Sequence, residues 1–213
     1  MNQTTKSSVS TIAIAAVVAM ASSMGVSYLL LGQSAPALPE PKTLPVKAKS
    51  LLQSDRPYQG DAGSPYTLVE FMDYQCPPCK KAQSGIDDLL LKNKGKLRYS
   101  ARNLPLAMHK NALPAAIAAE AAGEQNRFWP AHDALIRSEN LDPPHIRSLM
   151  QKQNLETGRY AQAVASTAKN RVASDLAQAK ALGLHGTPTF LLCCPDGKVI
   201  ELANLNQLGR YVK

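Results

Sequence analysis

Tyr66-Thr67-Leu68-Val69-Glu70-Phe71-Met72-Asp73-Tyr74-Gln75-Cys76-Pro77-Pro78-Cys79 is the stretch on which the reading of this chain turns. Its first seven residues are mostly apolar, with aromatic and β-branched members, and Gly63-Ser64-Pro65 stands before them. That pattern predicts a buried strand. A helix is expected from Pro77, because proline suits the first helical position, where its missing N–H is not needed. Ile86, Leu89, Leu90 and Leu91 give that helix an apolar side, and Asn93 and Gly95 end it. Leu97 to Arg102 reads as a second strand, so the helix becomes the crossover of a parallel strand, helix, strand unit.

Downstream, residues from about 111 to 182 are rich in alanine and leucine and are broken near Gly123, Pro130, Pro143-Pro144 and Gly158, the pattern of a helical cluster. Thr189 to Cys193 reads as a strand, Pro195-Asp196-Gly197 as a tight turn, and Lys198 to Leu202 as the antiparallel partner, with a short helix near Gln207. This element order is that of an α/β, thioredoxin-like fold carrying an inserted helical domain.

Upstream, Thr11 to Gly32 carries no charge, and as a helix at ~1.5 Å per residue it reaches ~30 Å, the thickness of a bilayer core. Lys6 lies before it, and Glu40 and Lys42 follow only after a gap, which places the first residues in the cytoplasm and the rest outside. A cleavable signal is the rival, since Ala35-Pro36-Ala37 has the small-x-small form of a cleavage site, but the apolar run exceeds the usual ~7 to 15 residues. Both readings export the domain: cleavage would release a soluble secreted form, and retention would anchor it. Pro36, Pro39, Pro41 and Pro45 then suggest an extended spacer. The expected organisation is a signal-anchor segment over 1–32, a proline-rich linker over 33–50 and the folded domain over 51–213.

The chain has 213 residues and a net charge of +8, room for one domain with its own core and no need of disulfide staples. The basic residues are scattered and the aromatics few, which suits a soluble surface or an anionic lipid face and argues against nucleic acid as a partner. Four cysteines form two close pairs, Cys76 with Cys79 and Cys193 with Cys194, too few for a disulfide scaffold.

At a strand-to-helix junction, C-x-x-C becomes a redox motif. Cys76 is expected at the helix N-terminus, where the dipole favours a thiolate, and Cys79 one turn inward and shielded. Cys76 is then the attacking thiol and Cys79 the resolving one. Neither Pro77 nor Pro78 offers an N–H or a cationic side chain, so the thiolate has less support than in a motif with histidine between the cysteines. Glu70 stands among apolar neighbours six positions before Cys76; buried, it would hold its proton more tightly and suit proton exchange with Cys79, while an edge-facing, salt-bridged glutamate is the alternative. Cys193 lies ~16 Å along its strand from Pro188 at ~3.3 Å per residue, too far to join the active pair. Buried thiols fit this second pair best, ahead of a vicinal disulfide, an auxiliary redox pair or a zinc site. His109, His132, His145 and His185 show no ligand spacing, and Trp129 reads as a packing anchor.

The run Gly60 to Cys79 resembles the start of the DsbA-like branch of thioredoxin-fold proteins, and Gly183-Leu184-His185-Gly186-Thr187-Pro188-Thr189-Phe190 resembles its cis-proline segment. Phe128-Trp129-Pro130-Ala131-His132-Asp133-Ala134-Leu135 resembles part of its inserted helical domain. The resemblance covers roughly Tyr58 to Ile200. It implies that Pro188 is cis, that its loop faces Cys76, and that the Thr187 backbone pairs with substrate strands. It also implies a periplasmic or cell-surface thiol:disulfide oxidoreductase that needs no diffusible cofactor, acts on exported proteins and is reset by a membrane redox partner. The Pro-Pro dipeptide departs from the histidine of the strongly oxidising members, so oxidase is the first direction with reductase or isomerase close behind it. A tethered chaperone or peptide-binding protein with incidental cysteines is the rival of a different class.

Overall fold

The computed structural model describes residues 39–213. The segment Thr11 to Gly32 and the first part of the linker lie outside them. Among the described residues no helix is long and apolar enough to cross a membrane.

The strands are β1 (Lys42–Leu44), β2 (Gln59–Gly60), β3 (Tyr66–Met72), β4 (Leu97–Asn103), β5 (Thr189–Cys193) and β6 (Val199–Leu202). They form one six-stranded sheet in the order β1-β6-β5-β3-β4-β2. β3 and β4 run parallel, with Leu68 opposite Tyr99 and Glu70 opposite Ala101, and the other pairings are antiparallel. The crossover between β3 and β4 is α1 (Pro77–Lys92), capped at its C-terminus by Asn93. Gly95, at φ +77°, turns the chain into β4 where a side chain would be strained.

The insertion is α2 (Ala112–Gly123), α3 (Phe128–Ile136), α4 (Pro143–Gln151), α5 (Thr157–Ala165) and α6 (Thr167–Ala181). Its alanines are structural: Ala112, Ala115, Ala116, Ala118, Ala119, Ala121 and Ala122 of α2 are all buried. Asp142 caps α4 by accepting from the His145 N–H at 2.8 Å, and Glu156 caps α5 by accepting from Gly158 and Arg159, both at 2.7 Å.

Strand alternation sorts the core into two faces. Leu68, Met72, Tyr99, Phe190 and Leu192 pack with Ile86, Cys76 and Cys79 and with the insertion. Val69, Phe71, Leu191, Cys193 and Val199 pack on the other side with Leu44, Ala48, Leu51, Ala179 and Leu184. The linker is therefore shorter than its prolines suggest. Lys42–Leu44 pairs with Val199 to Glu201 at the sheet edge, and the Ala48 N–H donates to the Gly197 carbonyl at 3.0 Å. An edge strand tolerates the flanking Pro41 and Pro45, which have no N–H to give the ladder. The compact unit accordingly begins at Glu40, not at residue 51.

A buried ionic cluster ties the insertion to the sheet. Arg56 meets Asp175 of α6 at 2.7 Å and Glu120 of α2 at 3.6 Å. Asp175 also accepts from the Asn103 N–H at 2.9 Å, and the Asn103 amide donates to Glu120 at 2.7 Å. Arg171 joins from the rim, 3.9 Å from Glu120, so this residue is not part of a free basic surface.

Candidate active site

Cys76 is the N-cap of α1 and Pro77 and Pro78 are its first residues, as the junction requires. The Cys76 N–H donates to the Asp73 carbonyl at 3.1 Å, and its own carbonyl accepts from the Lys80 N–H at 3.2 Å. Its thiol makes no cap bond to the helix; it donates to the Thr187 carbonyl at 3.3 Å. The Thr187–Pro188 peptide is cis. Cys76, Cys79, Thr187 and Pro188 thus meet at one end of the sheet, Pro188 half-buried and Cys79 1 % exposed. The Lys80 ammonium turns away, donating to the Ser138 carbonyl at 2.5 Å.

Glu70 projects from β3 on the face that α1 covers and is buried, not salt-bridged at an edge. Its Oε2 accepts from the Tyr99 hydroxyl at 2.6 Å, and its Oε1 is buried without a partner. Burial pushes the carboxyl up to about 8, and the Tyr99 hydrogen bond pulls it partly back. Burial first, and then the Glu70 charge, push the Cys79 thiol well above its ordinary range. Each group, when charged, makes it harder for the other to ionise.

The turn leading to Cys76 is pinned from both sides. Asp73 accepts from the Gln75 N–H at 2.7 Å, the Leu106 N–H at 2.8 Å and His109 Nδ1 at 2.9 Å. Gln75 accepts from the Asn111 N–H at 2.6 Å, so the loop after β4 is fastened to the cysteine turn. Tyr74 reaches His132 Nδ1 at 3.1 Å, while His132 Nε2 lies 3.2 Å from Gln83 Oε1. The Gln83 amide donates to Asp87 at 3.0 Å, which leaves its oxygen as acceptor; the His132 proton is therefore on Nε2, and Tyr74 donates to Nδ1. Burial pushes His132 down to about 4, keeping it neutral.

His109 and His132, which show no partner by spacing, are thus held by residues distant in sequence. Nothing in the spacing of the sequence singles out Tyr99. The usable signal was strand register, since Leu97, Tyr99 and Ala101 alternate onto the face that holds Glu70. Trp129 packs on Phe128 and His132 within the insertion and also reaches Tyr99 of the sheet, with ring centroids 5.5 Å apart. His185 is exposed.

Cys193 belongs to the opposite face of the sheet, and burial pushes its thiol up to about 12. Cys194 is half-buried beside the turn, where Gly197 takes φ +84°. Among the described residues no cluster of three or more His, Cys, Asp or Glu is disposed to hold a metal ion.

A mixed sheet with a helical insertion, a cysteine pair opening its first helix and a cis-proline loop against the first cysteine define a thioredoxin-like protein. Residues 53–213 match the family model described as thioredoxin, and the chain belongs to that family. A thioredoxin-like oxidoreductase from Silicibacter pomeroyi is 26 % identical, with a TM-score of 0.64, covering 74 % of this chain and 90 % of that one. DsbA2 of Pseudomonas aeruginosa is 24 % identical with a TM-score of 0.59, covering 72 % and 88 %, and shares the fold. These comparisons agree with the thioredoxin-like fold expected from the sequence. The Na(+)/H(+) antiporter NhaA 3 of Salinispora tropica is 35 % identical over 137 residues, which are 63 % of this chain and 21 % of that protein. The chain spans about a fifth of the length of the curated relatives it matches.

Proposed function

We propose that this protein is a thiol:disulfide oxidoreductase that exchanges disulfides with exported proteins through Cys76 and Cys79, with Glu70 as the proton acceptor and donor of Cys79. The observation that carries the reading is the 3.3 Å contact between the Cys76 thiol and the Thr187 carbonyl beside Pro188. An extended substrate segment lying along the 187–188 backbone would bring its own sulfur to Cys76. In the oxidising direction, a substrate thiolate attacks Cys76 Sγ, the Cys76–Cys79 bond breaks, and Cys79 leaves as a thiolate that takes a proton from Glu70. A second substrate thiolate then breaks the mixed disulfide, leaving the substrate oxidised and the cysteine pair reduced by two electrons. The pair is its own redox group, and a membrane partner resets it.

We place the domain on the extracytoplasmic side, held by the apolar segment Thr11 to Gly32. Reduction or isomerisation is the second reading. It is favoured by the support the Cys76 thiolate lacks: two prolines without N–H groups, and a Lys80 ammonium engaged by Ser138.

Replacement Cys79→Ser tests the reading, because it removes the resolving thiol. Exported proteins are expected to accumulate as mixed disulfides on Cys76, visible on non-reducing gels and lost in Cys76→Ser. Peptide binding without any trapped disulfide would support a chaperone instead.

A further inference from the structure

Glu70 lies in a setting unusual for a group that must carry charge. The groups that face it are Cys79 from α1, Tyr99 from β4 and Tyr74 from the cysteine turn, while its β5 neighbour in register is Phe190. No lysine or arginine acts on it among the described residues. Its carboxyl has one hydrogen bond, the 2.6 Å contact that Tyr99 donates to Oε2, and such a donor favours the charged form. Tyr99 is itself fully buried, and burial followed by the Glu70 charge raises its hydroxyl well above the ordinary range, so it remains a donor. Its ring is held by Trp129 and, at 6.5 Å, by His132, both from the inserted helix α3.

We propose that Tyr99 is the positioning residue of the redox site: its hydroxyl fixes Oε2 of Glu70 and stabilises the carboxylate form, leaving Oε1 to exchange a proton with Cys79. The inference rests on the role proposed for Glu70. In the step concerned, the Cys79 proton passes to Glu70. The Cys79 thiolate then attacks Cys76 Sγ, the Cys79–Cys76 bond forms, and the bond from Cys76 to the substrate sulfur breaks, expelling the substrate thiolate. Without the hydroxyl, the carboxylate would have no donor and no cation, and it would ionise only at higher pH. The insertion enters the chemistry here, because Trp129 and His132 set the ring that sets the acid.

The test is the two-phase reaction of the reduced full chain, carrying Cys194→Ser throughout to silence the half-buried turn thiol, with an aromatic disulfide whose released thiol absorbs visibly. Cys76 releases the first equivalent and Cys79 the second. With Glu70 and Tyr99 in place the second phase is expected to inflect near pH 8, where Glu70 exchanges its proton. Tyr99→Phe should move that inflection to higher pH and slow the second phase at pH 7 at least threefold, with the first phase unchanged. Glu70→Gln should abolish the inflection. An inflection lost in Glu70→Gln but unmoved in Tyr99→Phe overturns the role of Tyr99 and leaves that of Glu70 standing. An inflection that survives Glu70→Gln overturns both. If Tyr99→Phe does not fold, Tyr99→3-fluorotyrosine keeps the shape and donates more strongly. It must move the inflection down, and an unmoved inflection overturns the proposal.

Discussion

The two faces of the central sheet bury the same kinds of group, a thiol and a carboxylate, in different company. On the face covered by α1, Cys79 lies near Glu70, whose only donor is a neutral tyrosine. On the other side, Cys193 packs among Val69, Leu191 and Val199. There Arg102 reaches toward Asp175 at 3.9 Å, and Arg56 meets the same carboxylate at 2.7 Å. A carboxylate ringed by guanidinium groups and backbone donors is architecture, because moving its proton would break several contacts at once. A carboxyl with one neutral donor and one unpartnered oxygen can change its protonation without breaking an ion pair. Cys193, buried among aliphatic side chains, is expected to act as a small apolar group.

The sharpest way to break this contrast is to remove each carboxylate's particular feature and read stability. Glu70 holds its proton to about 8 in the fold and releases it near 4.5 when unfolded. Between those values the native state binds more protons than the unfolded one, so stability falls as pH rises through the window. Glu70→Gln is expected to remove that slope and to stabilise the protein above pH 8 by on the order of 4 kcal/mol, with little gain near pH 4. Urea denaturation at the two pH values checks it. Arg56→Ala should act in the opposite sense, costing about 3 kcal/mol because it strands Asp175 and Glu120 without their cation, while the folded fraction keeps its disulfide exchange. A neutral result would mean that the cluster does not fasten the insertion.

The smaller effects concern the second thiol pair. Cys193→Ala should cost about 1 kcal/mol by leaving a small void in a packed face, measured by thermal melting with the exchange rate unchanged. Cys194→Ser, at a half-buried turn position, should stay within about 0.5 kcal/mol. In an alkylation time course Cys194 should label before Cys193, whose thiol burial has pushed up to about 12.

The local features of both faces were legible in the sequence. Pro77 begins α1, Asn93 and Gly95 close it, and Pro195-Asp196-Gly197 makes the hairpin, because turn and cap chemistry is written in adjacent residues. The Cys76 and Pro188 motifs could be joined because each carries its own local signature. What escaped was set by pairing between distant segments. Lys42–Leu44 has nothing strand-like of its own and becomes β1 only against Val199 to Glu201. Arg56, Glu120 and Asp175 stand far apart in the chain and look like solvated charges until α2 and α6 bring them together. Glu70 could be singled out by its apolar neighbours, but its direction needed the face that α1 covers. Its partner Tyr99 needed the register of β3 on β4.

The central claim is that one cysteine pair exchanges electrons and the other does not. It is tested by equilibrating the full chain across a series of glutathione ratios, quenching with acid and counting alkylated thiols on each cysteine by mass spectrometry. Cys76 and Cys79 are expected to lose and regain their thiols together in a single two-electron transition that vanishes in Cys76→Ser, while Cys193 and Cys194 remain thiols throughout. A transition carried by Cys193 and Cys194, or no transition at Cys76 and Cys79, would contradict the account.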